Sequence, residues 1–108
     1  MTVKGFEDRQ KGFEAEFKRN QELAFRVTAR RNRLFGLWAA ERMGLPASEA
    51  EAYARTVVDA DFQRPGDGDV IEKVQGDLGA RGISLDEAAL RAELTRAASE
   101  ARRQLSET

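Results

Sequence analysis

The feature that most constrains this chain is its punctuation by glycine and proline. Met43-Gly44-Leu45-Pro46 is a strong helix stop, with glycine for a left-handed residue and proline shortly after. Arg64-Pro65-Gly66-Asp67-Gly68 is a second break and Arg81-Gly82-Ile83 a third. The pieces between them read as helices. The first, over 20–43, carries Leu23, Val27, Leu34 and Trp38 at helical spacing, with Asn20 as its expected N-cap. Gly36 inside it costs about 1 kcal/mol relative to alanine, and lets a neighbouring helix come close. The second, over 48–63, has a Ser48/Glu51 capping box and an apolar stripe of Ala50, Tyr53, Ala54, Val57, Val58 and Phe62. The third, over 69–80, aligns Val70, Ile71, Val74 and Leu78, weakened by Gly76 and Gly79. The fourth, over 85–105, starts from a Ser84/Glu87 box and lines up Leu90, Leu94, Ala97, Ala101 and Leu105.

Composition agrees with helices. The 108 residues hold 17 alanines and nine leucines but only eight valines and isoleucines, which starves a sheet. No segment reads as a strand. The larger apolar side chains number 27, enough for one small core and not for two large domains. The expected fold is all-α: a compact four-helix bundle over 20–108 with a mobile N-terminal amphipathic arm over 1–19. The longest apolar run, Leu34–Ala40, falls far short of the roughly 20 residues a membrane span needs, and the N-terminus has no signal-like apolar stretch.

The arm is different from the rest. Gly5-Phe6-Glu7 recurs seven residues later as Gly12-Phe13-Glu14, and Phe17 follows four residues on. Phe6, Phe13 and Phe17 share one face of a helix among side chains that are nearly all polar. Three phenylalanines cannot form a core alone, and two glycines make an isolated helix marginal. Two readings stand side by side: the segment extends the first helix onto the bundle, or it orders on the hydrophobic groove of a partner.

Chemistry is sparse. With no cysteine and no histidine, disulfides, thiolate zinc sites and the commonest general base are excluded. No phosphate loop or dinucleotide fingerprint is present. The pairs Asp59/Asp61 and Asp67/Asp69 lack specific metal spacing, and Asp67 and Asp69 flank a helix start whose dipole favours them. The sequence therefore predicts no catalytic residue, no metal ligand set and no cofactor: not an enzyme. Charge is uneven. Residues 21–43 sum to +3 and residues 44–82 to −4, in a chain of net charge −1. Arg26, Arg30 and Arg33 follow i, i+4, i+7 around Arg31, either as a basic stripe for phosphates or an acidic surface, or as a solvated face. The overall balance argues against nucleic acid as a partner.

The stretch Ala29-Arg30-Arg31-Asn32-Arg33-Leu34-Phe35-Gly36-Leu37-Trp38-Ala39-Ala40-Glu41-Arg42-Met43-Gly44 resembles the central motif of the zeta subunit family, the ATPase-inhibitor subunits of alphaproteobacterial F-type ATP synthases. The stretch from Ala52 to Phe62 resembles the same family, and the order of elements and total length agree with it. The resemblance implies a four-helix domain whose N-terminal segment inserts at a catalytic interface of the ATPase head and blocks hydrolysis. By carry-over that segment is about Val3 to Arg19. Its expected contact residues are Phe6, Glu7, Arg9, Phe13, Glu14 and Phe17, its partner is the catalytic head, and its location is cytoplasmic, peripheral to the inner membrane. The alternative function is a regulatory bundle that binds an adenine nucleotide or other phosphate ligand through Arg30, Arg33 and Trp38, arginine for the phosphates and the indole for the base.

Overall fold

A computed structural model describes the backbone of residues 2–106 and the side chains of residues 18–106. Four helices follow in order: α1 Thr2–Arg42, α2 Ala47–Gln63, α3 Asp67–Ala80 and α4 Glu87–Ser106. No strand occurs among the described residues. The expected first helix starts much earlier than Asn20: α1 is unbroken over 41 residues, so Asn20 is an interior helical residue and not a cap. The expected arm residues Phe6, Glu7, Arg9, Phe13, Glu14 and Phe17 lie outside the described side chains.

The breaks fall where glycine and proline put them. Gly44 adopts a φ of 74° and Gly82 a φ of 78°. In each case the next residue donates back across the helix end, Leu45 N–H to Ala40 O at 3.0 Å and Ile83 N–H to Leu78 O at 2.9 Å. Both are Schellman closures, which satisfy carbonyls that a helix end would otherwise leave open.

Neither expected capping box forms. Pro46 occupies the N-cap of α2 and, with no polar side chain, makes no side-chain cap bond; its carbonyl accepts the Ala50 N–H at 2.8 Å, so the helix starts ahead of Ser48. Glu51 is turned to Arg33 of α1 instead. At α4 the cap is Asp86, whose Oδ1 accepts the Ala89 N–H at 2.8 Å, two residues beyond Ser84.

The core is built where all four helices meet. Phe35 and Ala39 of α1, Val57 of α2, Val70, Ile71, Val74 and Leu78 of α3, and Leu90, Leu94 and Ala97 of α4 form one buried cluster. On α3 and α4 these are the residues the periodicity selects. On α1 they are not. The buried face runs through Asn32, Phe35, Gly36, Ala39 and Ala40, while Leu23 is 50% exposed and Leu34 and Trp38 sit at the flank. Small residues face the bundle because α2 crosses close: a methyl placed on Gly36 would lie 2.7 Å from Ala54 Cα. The α2 stripe also ends early, since Phe62 is 72% exposed.

Candidate partner-binding surface

Helix α1 leaves the bundle at its N-terminal side. Residues 18–26 are exposed, and burial begins at Val27. The last turns of α2 lie against α1 here. Phe25 and Phe62 meet edge to face, with ring centroids 6.3 Å apart. Together with Ala24, Thr28, Val58 and Pro65 they line an open groove of about 380 Å³.

Asn32 and Asp61 close the inner end of that groove. Asn32 is buried, and its Nδ2 donates to Asp61 Oδ2 at 2.8 Å. Its Oδ1 accepts from Nε and Nη2 of Arg31 at 3.1 and 2.9 Å. Arg31 reaches on to Asp67 Oδ1 at 2.9 Å and lies 3.9 Å from Asp61. Asp61 Oδ1 also accepts the Gly66 N–H at 3.2 Å. The four side chains form a clasp that fastens α1 to the end of α2 and the start of α3. Asp59, which the sequence pairs with Asp61, is exposed and takes no part in it.

Three of the four arginines, Arg30, Arg31 and Arg33, thus have structural partners, while Arg26 is exposed. Arg31 engages Asp61 and Asp67, Arg33 pairs with Glu51 at 2.7 Å, and Arg30 donates to Gln104 Oε1 of α4 at 2.7 Å. Two arginines of the basic stretch 21–43, Arg31 and Arg33, meet three carboxylates of the acidic stretch 44–82, Glu51, Asp61 and Asp67. Trp38 lies elsewhere. It stacks on Phe35 at a 6° interplanar angle, with the Arg42 guanidinium 5.0 Å from its ring centroid. Arg30 is thus engaged with α4 and Arg33 with α2, while Trp38 lies on Phe35 beside Glu93, Arg96 and Ala97 of α4.

Sequence reasoning missed Phe25, Asn32 and Asp61 as members of one surface. Their common signal, a turn-spaced Phe25, Thr28, Asn32 facing the end of α2, needs the partner helix to be seen.

Between α2 and α3, Tyr53 donates its hydroxyl to Asp77 Oδ2 at 2.8 Å, and Lys73 Nζ reaches the same oxygen at 3.0 Å. Burial first, then the hydrogen bond to Asp77 and the Asp77 charge, push the phenol well above its ordinary 10.0. No buried side-chain nitrogen or oxygen among the described residues is left without a partner, and no group of carboxylates among them is placed to hold a metal ion. No helix among them is long and apolar enough to cross a membrane.

A small helical bundle with an apolar groove beside a projecting helix has the make-up of a protein that acts by contact with another protein. The family model for ATPase inhibitor subunit zeta matches residues 1–104, and the chain belongs to that family. It is also similar to a protein whose structure was solved in solution by NMR, at 44% identity and a TM-score of 0.67, over 77% of this chain and 94% of that one. No curated protein matches the chain.

Proposed function

We propose that this protein inhibits ATP hydrolysis by an F-type ATP synthase, with residues 1–19 inserted at a catalytic interface of the ATPase head and the bundle as anchor. The observation that carries this reading is the family match, which takes in the N-terminal segment together with the bundle. The continuity of α1 supports it: one helix from Thr2 to Arg42 joins that segment to the core at Phe35 and Ala39. Force on the segment is then borne by the bundle through a single rod, roughly 60 Å long at 1.5 Å per residue.

The mechanism is mechanical. Phe6, Phe13 and Phe17 fill a groove of the enzyme, while Glu7, Arg9 and Glu14 pair with its walls. Any helix order the segment gains on docking is drawn from the contact free energy. Once seated, the rod resists the change of shape that hydrolysis requires. The protein makes and breaks no bond, so its role is regulatory. It sits at the membrane surface only by way of its partner.

The test is a hydrolysis titration with the full chain and with Phe13→Asp and Phe17→Asp. Each variant places a charge on the face that enters the groove. Both are expected to raise the half-inhibitory concentration by about 100-fold, as for loss of a buried aromatic anchor. Unchanged inhibition by both would sink the reading.

A further inference from the structure

We infer that the groove between α1 and α2 is a second contact with the ATPase head, and that it takes an apolar side-chain cluster from the surface beside the arm's entry site. This inference rests on the insertion reading above.

Three observations lead to it. The first is a spacing. Phe6, Phe13, Phe17, Ala24, Thr28, Phe35 and Ala39 advance alternately by seven and four residues. About 11 residues make three turns of helix, so this series keeps to one side of α1. The bundle covers the series at Phe35 and Ala39. At Ala24 and Thr28 the series lines the open groove. Farther out it consists of the arm's phenylalanines. A partner that covers the arm's side of the helix meets the groove next along the same line.

The second is distance. From Arg19 to Ala24 the rod advances about 8 Å. Any surface that encloses the arm has a rim, and the groove lies at that rim.

The third is the chemistry of the walls. Phe25 is 60% and Phe62 72% exposed, too open for a core role alone. The polar groups at the inner end, Asn32 and Asp61, are bonded to each other, to Arg31 and to Gly66. Nothing there asks for a charged or polar ligand, so the fitting occupant is apolar. Two contacts on one rod strengthen each other, because seating the arm raises the local concentration of the second surface.

The experiment uses the full chain in a hydrolysis titration against the cognate ATPase. Phe62→Glu and the milder Phe62→Ser change α2, outside the arm. Phe13→Asp in the same assay reports on the arm. The expected result is a half-inhibitory concentration raised about ten-fold by Phe62→Glu and by Phe62→Ser, with an unchanged melting temperature and full inhibition at saturation. If Phe62→Glu melts early, Phe62→Ser and Phe25→Ser carry the comparison. Wild-type potency in the folded groove variants, with Phe13→Asp impaired, overturns the groove and leaves the arm standing. Wild-type potency of both Phe13→Asp and Phe17→Asp removes the arm and this inference together. Sedimentation of the full chain closes the last case: a dimer that Phe62→Glu separates would give the groove to a second copy and overturn the inference.

Discussion

Gly36 of α1 and Ala54 of α2 are in backbone contact, so close that a methyl group on the glycine would lie 2.7 Å from Ala54 Cα and 3.2 Å from a Val57 methyl. Alanine normally stabilises a helix interior by about 1 kcal/mol over glycine. Here the helices must part to admit it, and the obstacle is backbone, which cannot rotate away. Gly36→Ala is expected to destabilise the protein by roughly 1–3 kcal/mol net. Gly76 of α3 has nothing within 4 Å of a built methyl. Gly76→Ala is expected to stabilise by about 0.5–1 kcal/mol. Denaturant unfolding of the two variants checks the opposite signs.

The close crossing also explains what the sequence hides. The three breaks are legible because Gly44 and Gly82 perform a local task, and the buried faces of α3 and α4 are legible because Val, Ile and Leu mark them. The buried face of α1 is not. The face that is buried carries Gly36, Ala39, Ala40 and a polar Asn32, all smaller or more polar than the Leu23 and Trp38 that helical spacing picks out. The capping boxes mislead for a related reason. Ser48 and Ser84 have the right spacing, but Pro46 and Asp86, each two residues away, fix the helix starts. The arginine cluster reads as a free basic stripe because Glu51, Asp61 and Asp67 lie 18 to 36 residues distant and only folding brings them to it.

The clasp makes a pairwise prediction. Asn32→Ala strips Asp61 of one donor and Arg31 of one acceptor in a part-buried setting. A loss of roughly 1–3 kcal/mol is expected. Asp61→Ala removes the other half of the same bond. In a double-mutant cycle the pair should show a coupling of about 1 kcal/mol. Additive losses would mean that the two side chains act independently.

Tyr53 is the only tyrosine, so its ionisation can be followed without interference. Its folded phenol is raised above 10.0 by burial and by Asp77. The sign follows from the neutral form being favoured in the fold: this stability is fully present below pH 10.0, the unfolded value, and is lost as pH rises toward the folded value. Phenolate absorbance is expected to appear only above that pH, together with loss of helix, and Tyr53→Phe, which removes the titrating phenol, should keep its helix over the same rise. The chain has no histidine. Its melting temperature is therefore expected to stay flat between about pH 6 and 8, since histidine is the side chain that ordinarily titrates there. Thermal melts across that range check this directly.

The central claim is that the N-terminal segment inhibits while the rest holds it. Of the 27 larger apolar side chains, 22 lie beyond residue 19, so a chain of residues 20–108 is expected to melt cooperatively. The deciding measurement is ATP hydrolysis by the cognate ATPase titrated with the full chain and with residues 20–108. The account predicts inhibition by the full chain and uninhibited hydrolysis with the folded, truncated one. Equal inhibition by both would contradict it, and would place the blocking contact on the bundle.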